Sequence, residues 1–232
     1  MSVKYIAHRG CPRKELENTI ESFIAAGNRK YYGIESDVTM IADGNVIIYH
    51  DDDLKRLAGI DKPTRELVIE EVNNIKLTNK GTYHTYDYQI PSPLEYIRIC
   101  KHYNKVPVID VKWGYTTEKV DELIQMLIDE DMYNNSIIIC YTMKIVLHIR
   151  EKYPDFKVQF LAGMLFNEEN VQICLDNGID LDVAHNFVTK ELVDRFHEKG
   201  LLVNCWTVDD EETKQRMIEC GVDFITSNVF EE

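Results

Sequence analysis

Two histidines, three carboxylates and two cations stand out in this 232-residue chain by type and spacing. His8-Arg9-Gly10 comes first. Glu35 and Asp37 follow, two residues apart. His50-Asp51 comes next, and Asp110 and Lys112 repeat the spacing of two. Imidazole titrates near neutral pH, so His8 and His50 are candidates to accept and deliver a proton. Three carboxylates meeting at one point make a hard oxygen site, suited to Mg²⁺ or Ca²⁺ rather than zinc. The planar fork of Arg9 matches phosphate oxygens, and Lys112 can hold a phosphate oxygen or neutralise the carboxylates. Together these groups specify metal-assisted phosphoryl chemistry. Trp206 is open to two readings, stacking on a substrate group or plain packing. Glu17 is a weaker candidate that orients its neighbours. The remaining histidines, His84, His102, His148 and His197, and mostly His185, read as structural or surface groups.

Such residues need elements that bring them together. Eight β-rich runs are spaced along the chain: Val3–Ala7, Ile34–Val38, Val106–Val111, Ile137–Tyr141, Val158–Ala162, Leu181–Ala184, Leu202–Val208 and Phe224–Ser227. Helical stretches separate them. The first begins at Asn18, with Glu21 three residues on in a capping-box pattern and Gly27 as the stop. Others cover 93–102, 118–129, 144–152, 168–177, 190–199 and 211–220, several ending at a glycine such as Gly178, Gly200 or Gly221. Strand–helix alternation at this density means parallel βαβ units, and eight of them predict an α/β fold of the TIM (β/α)8 barrel type. The whole chain, 1–232, reads as one domain. A doubly wound sheet would carry a glycine-rich phosphate loop after the first strand, and AHRGCPRKE is not one.

Between Val38 and Val46 there is no room for a crossover helix. Asp43-Gly44 lies between two apolar runs and signals a hairpin, with Val46–Tyr49 as the return strand. A two-residue loop at Asp43-Gly44 pairs Ala42 with Asn45 and brings Asp37 opposite His50. Residues from about 51 to 90 are irregular, polar and tyrosine-rich, and read as a small insertion over the C-terminal face. In a barrel of this kind the strand C-termini carry the site. There lie His8-Arg9, Glu35 and Asp37, His50-Asp51, Asp110 and Lys112, and Trp206-Thr207. An isolated Glu-x-Asp pair reads more readily as a solvated strand face. Several such pairs at successive strand ends reverse that reading, because inward charges must be paired or metal-bound.

Lys plus Arg number 26 against 40 Asp plus Glu, a net charge of −14. That disfavours nucleic acid as a partner, which needs a basic footprint, and stable association with an anionic membrane. An anionic small molecule then needs a locally positive or metal-bearing site. The six cysteines form no CxxC pair and read as small buried hydrophobes in a reducing compartment. The N-terminus lacks an apolar h-region and no apolar run approaches membrane-span length, so the expected location is cytoplasmic.

With these residues in place, the sequence resembles the glycerophosphodiester phosphodiesterase family. The likeness rests on H8-R9-G10, E17-N18-T19 with Phe23 and Ala26, G33-I-E35-S-D37-V38, D43-G44 and V46-I-I-Y-H50-D51. It continues through I90-P91, I109-D110-V-K112, W206-T207-V208 and G221-V222-D223-F-I225-T226. The resemblance implies a TIM barrel with a small insertion. It also implies hydrolysis of a glycerophosphodiester, a small-molecule substrate, to glycerol 3-phosphate and an alcohol. It makes His8 and His50 the acid/base pair, Glu35 and Asp37 metal ligands joined by Asp110, and Arg9 and Lys112 the phosphate holders, with one divalent cation, Mg²⁺ or Ca²⁺. There are departures. Asp110 stands where the family usually has Glu, Leu16 replaces the proline before E17-N18-T19, and Cys140-Tyr141-Thr142 replaces a common Ser-Phe pair.

Two other functions fit parts of the sequence. A phospholipase D-like enzyme acting on lysophospholipids would need an apolar ledge, for which Tyr83, Tyr86 and Tyr88 are the candidates. A non-catalytic phosphoester-binding barrel would not need both histidines, and both are present.

Overall fold

The structure is a computed structural model describing residues 2–78, 87–112, 114–163 and 166–232. Among the described residues nine strands form one sheet: β1 (Lys4–Ala7), β2 (Gly33–Met40), β3 (Val46–Ile48), β4 (Val106–Val111), β5 (Ile137–Cys140), β6 (Lys157–Ala162), β7 (Asp180–Ala184), β8 (Val203–Trp206) and β9 (Phe224–Ser227). Eight of them are parallel and close on themselves, because β1 pairs with both β9 and β2. β3 lies antiparallel on β2 above the barrel. The predicted TIM barrel is therefore the observed fold, and each of the eight expected runs is a barrel strand with ends shifted by a residue or two.

Helices α1 (Ile20–Gly27), α2 (Lys55–Ala58), α3 (Ile69–Val72), α4 (Pro93–His102), α5 (Thr117–Asp129), α6 (Met143–Lys152), α7 (Glu168–Asn177), α8 (Lys190–His197) and α9 (Glu211–Cys220) complete the fold. α5 shows why these segments are helical. Val120, Leu123, Ile124 and Leu127 recur at helical spacing, are buried, and face the barrel, while Thr116 caps the first turn through Lys119 N–H. Full burial of each such side chain contributes about 1.5–3 kcal/mol. The outer strand faces and the inner helix faces share one apolar core. A second core, containing Ile47, Tyr49, Leu54, Leu57 and Tyr88, lies under the 51–78 segment. Inside the barrel, Ile6, Val106, Val108, Ile137, Ile139 and Phe224 fill the lower half.

The hairpin differs from the expected register. Ile41 N–H donates to Asn45 O (2.9 Å) and Gly44 N–H to Ile41 O (3.0 Å), so the loop is three residues, Ala42-Asp43-Gly44. Gly44 takes φ +79°, the left-handed last position that a three-residue loop requires. Val38 consequently pairs with Ile48, and Tyr49 N–H donates to Asp37 O (3.1 Å). Asp37 is opposite Tyr49, not His50. His50 still reaches the site because β3 ends at Ile48 and the chain leaves the ladder.

The first helix cap also differs. Thr19, not Asn18, is the N-cap and accepts from Ser22 N–H. Asn18 instead takes φ +56° and points its amide into the barrel mouth. The cysteines are free; five are buried and Cys220 is half-buried. No helix of the described residues is long and apolar enough to cross a membrane.

Candidate active site

β1 delivers His8, Arg9 and Gly10 to the top of the barrel. Arg9 (φ +53°) and Gly10 (φ +85°) turn the chain sharply there. A Cβ at Gly10 would lie 2.4 Å from Ser22 Oγ, which holds Cys11 N–H and bonds to Arg9 O, so only glycine fits. This turn aims the Arg9 N–H at Glu35 Oε2 (2.7 Å) and its guanidinium at Glu17 (2.9 Å) and Asp37 (3.3 Å). Burial opposes the Arg9 charge, but Asp37, Glu35 and Glu17 more than offset it.

β2 and β4 place Glu35, Asp37 and Asp110 on their inward faces, with Asp37 paired directly across from Asp110 and Lys112 just past the end of β4. One ligand oxygen from each of Glu35, Asp37 and Asp110 lies within 4.8 Å of the others. Lys112 Nζ bridges Asp37 (2.7 Å) and Asp110. Asp37 also accepts from Asn18 Nδ2 (2.6 Å). Despite burial, Lys112 and Arg9 hold the Asp37 carboxyl well below the usual range. Burial, together with the charge of Asp37, pushes Glu35 well above its ordinary value. Burial raises Asp110 too, and the Asp110 Oδ1 atom is buried without a hydrogen-bond partner. Three crowded carboxylates, two of them pushed toward neutrality and one with an orphaned oxygen, are a donor set that fits a hard divalent cation.

The histidines are held from behind. His8 Nδ1 lies 2.9 Å from Asn228 Oδ1, and Asn228 Nδ2 donates to Asp209 Oδ2 (2.6 Å). A carboxylate only accepts, so the Asn228 amide must turn its NH₂ to Asp209 and its oxygen to His8. His8 then carries its proton on Nδ1 and offers a bare Nε2. Burial, and next the Arg9 charge, lower its pKa. His50 Nδ1 lies 2.8 Å from Asp51 Oδ1. Arg56 on α2 donates to Asp51 (2.6 Å) and in a fork to both Glu17 oxygens (2.7 and 2.9 Å).

His8, Arg9, Glu35, Asp37, His50, Asp110, Lys112 and Trp206 thus line one cavity of about 170 Å³, with Asp182, Leu161 and Thr226 on its far side. A groove of about 570 Å³ adjoins it and shares His50 and Lys112, with Arg65 and Asp52 on its outer wall. Glu17 borders the mouth on the His8 side. His148 and His197 pair with Asp121 and Asp223 away from the cavity. Tyr88 is buried in the second core with its hydroxyl on Glu15, so it forms no ledge. Tyr83, Tyr86 and His84 lie outside the described residues.

Sequence reading alone passes over Asn18, Arg56, Asp182, Asp209 and Asn228. Asn18 stands inside the E17-N18-T19 motif quoted above, which is a usable signal. The others join the site through contacts between distant segments, as in the 220-residue separation of His8 and Asn228.

The profile described as the glycerophosphoryl diester phosphodiesterase family matches residues 8–232. The glycerophosphodiester phosphodiesterase of Caldanaerobacter subterraneus is 24% identical over 230 residues, 98% of this chain and 95% of that protein. A glycerophosphodiester phosphodiesterase structure from Parabacteroides distasonis superposes with a TM-score of 0.81 at 25% identity, over 97% of this chain and 92% of that one. A phosphodiesterase of Oleispira antarctica, solved in complex with the product sn-glycerol-3-phosphate, gives a TM-score of 0.86 at 20% identity, over 97% and 92%.

Proposed function

Because the chain belongs to the glycerophosphoryl diester phosphodiesterase family and is thereby a phosphoric diester hydrolase, we propose the following chemistry for it. It hydrolyses glycerophosphodiesters to sn-glycerol 3-phosphate and an alcohol, with His8 and His50 as its proton-transfer pair. The product bound by the Oleispira antarctica phosphodiesterase supports the glycerol 3-phosphate half of this reading.

The carrying observation is that the two histidines have different partners at Nδ1, an amide oxygen for His8 and a carboxylate for His50. Asn228 fixes the His8 tautomer with Nε2 free, and burial keeps the ring neutral, as a general base requires. Asp51 Oδ1 anchors His50 at Nδ1 and leaves Nε2 turned to the substrate, the geometry that delivery of a proton to the leaving group needs. His8 removes a proton from the attacking hydroxyl. His50 protonates the departing alkoxide. Two nucleophiles fit: water, or the neighbouring glycerol hydroxyl, whose cyclic phosphate is then opened by water.

Arg9 and Lys112 hold the non-bridging phosphoryl oxygens, and Trp206 packs beside the substrate. Glu35, Asp37 and Asp110 hold one divalent cation, Mg²⁺ or Ca²⁺, which supplies neutralisation of phosphoryl charge when bound. The glycerophosphoryl unit occupies the inner cavity of about 170 Å³, between the cations and the carboxylates. The alcohol moiety extends into the adjoining groove of about 570 Å³, which shares His50, the proposed acid. The whole chain, 1–232, acts as one catalytic domain in the cytoplasm; of the insertion expected at about 51–90, residues 51–78 and 87–90 form the cover, and 79–86 lie outside the described residues.

The test is glycerol 3-phosphate release from a panel of glycerophosphodiesters with EDTA, Mg²⁺ and Ca²⁺ arms, beside His50→Ala. Metal-dependent release that collapses in the variant is expected. No release from the folded protein with either metal would overturn the proposal.

A further inference from the structure

Asp182 is a carboxyl that the chemistry above leaves without a task. It projects from β7 into the cavity, opposite the cations, and is 2% exposed. Its Oδ1 is buried and has no hydrogen-bond partner. Neighbouring strands offer it none. Across from it on β6 is Leu161, which is apolar. On β8 it faces Asn204, whose amide is already shared between Gln159 (3.5 Å) and Thr226 (3.2 Å). A buried polar atom without a partner costs about 1–3 kcal/mol. The cavity is the direction from which a partner can come.

We propose that Asp182 is a substrate-binding residue that hydrogen-bonds a free hydroxyl of the glycerol moiety and so selects glycerophosphodiesters over other diesters. The proposal rests on the function assigned above. Charge decides which end of the substrate meets it. The phosphoryl group is anionic and belongs with Arg9, Lys112 and the carboxylate-bound cation. A carboxyl would repel it. A hydroxyl is neutral and can both donate and accept. Burial, and secondly the charge of Asp110, push the Asp182 carboxyl well above the usual range, toward a neutral form that also does both. Asp182 is not among the three carboxylates close enough to share a cation. A site that hydrogen-bonds a hydroxyl rejects an analogue lacking it, because its own polar group is then left unpaired.

The experiment compares wild type, Asp182→Asn and Asp182→Leu. Binding of glycerol 3-phosphate and of inorganic phosphate is measured by calorimetry at saturating Mg²⁺ or Ca²⁺, and turnover on glycerophosphocholine and on bis(p-nitrophenyl) phosphate, which has no glycerol. Asp182→Leu should bind glycerol 3-phosphate about tenfold more weakly and leave phosphate binding unchanged. It should lose kcat/KM on glycerophosphocholine and keep it on the aryl diester. Asp182→Asn, which still offers a donor and an acceptor, should fall between. Asp182→Leu should also melt higher, since the orphaned carboxyl is gone. Undiminished glycerol 3-phosphate binding by Asp182→Leu, in a background where wild type is active, overturns this proposal alone. So does an equal loss of both ligands. A wild type that releases no glycerol 3-phosphate overturns the parent function and this proposal with it.

Discussion

The imidazole of His50 is anchored at Nδ1, 2.8 Å from Asp51 Oδ1, which leaves Nε2 as the nitrogen for the substrate. The pair is sequential, so one turn of backbone sets both the ring and its counter-charge. His50→Ala should lower kcat about 10²- to 10⁴-fold, the usual worth of a positioned acid or base. Asp51→Asn should cost about tenfold or more while the protein stays folded. Steady-state rates with a circular dichroism check decide it. A rate in Asp51→Asn equal to wild type would sink the anchoring role.

Arg56 joins two of the site's supporting carboxylates, Asp51 behind His50 and Glu17 beside Arg9. A lysine keeps the charge but not the planar fork that reaches both. Arg56→Lys should therefore lower kcat about tenfold. KM should rise as well, because Arg9 is loosened along with His50. If kcat and KM both stay put, the bridge is only a surface ion pair.

A neutral His8 with its proton on Nδ1 sets the pH profile. Burial and Arg9 lower His8 below its ordinary 6.5. A base must be neutral, so the acid limb of kcat/KM should lie below that value. Asn228→Asp puts a carboxylate against Nδ1 and favours imidazolium. The limb should then move up by about one unit. A limb that stays where it was in the variant would remove Asn228 from behind His8.

Metal binding has a readout apart from turnover. Glu35, Asp37 and Asp110 repel one another, and a cation relieves that repulsion only in the folded chain. Adding Mg²⁺ or Ca²⁺ at 100 times its Kd should stabilise the protein by about 2.7 kcal/mol, and EDTA should reverse the gain. Asp110→Asn should blunt the effect. Melting curves unmoved by either ion would exclude the trio as a cation site.

Asp180, at the start of β7, is pushed up to about 6 by burial, against the Leu202 N–H that it accepts. Its folded pKa exceeds its unfolded value of 3.8, so between those pH values the native state holds the extra proton. Stability from this group is present at acid pH and is lost as pH rises through about 6. Asp180→Asn should gain roughly 3 kcal/mol at pH 7.5 and only a few tenths at about pH 4. Denaturant melts at the two pH values check this; an equal gain at both would refute the assignment.

The barrel was readable because eight strand-like runs alternate with helical ones. Glu35 and Asp37, or Asp110 and Lys112, share a side because side chains along a strand point alternately to its two faces, and their inward direction follows once eight such strands close. The hairpin shows the limit. Asp43-Gly44 marks the turn, but the dipeptide serves equally as a two-residue loop or as the end of a three-residue one. A difference of one moved Asp37 from His50 to Tyr49. Asn18 shows another. Asn and Thr are both good caps, and only the demand of Asp37 for a donor decides between them. Asp209, Asn228 and Asp182 were hidden because their importance lies in what they face across the barrel, which no local pattern records.

The apolar plug of Ile6, Val106, Val108, Ile137, Ile139 and Phe224 stops the barrel from below, so the cavity is a blind alley. Molecules enter and leave by the same door, and the last in is the first out. In the proposed binding mode, with the glycerophosphoryl unit innermost, the alcohol departs before glycerol 3-phosphate. Traffic through the enzyme is then queued: glycerol 3-phosphate that lingers competes with the next substrate, while the freed alcohol does not.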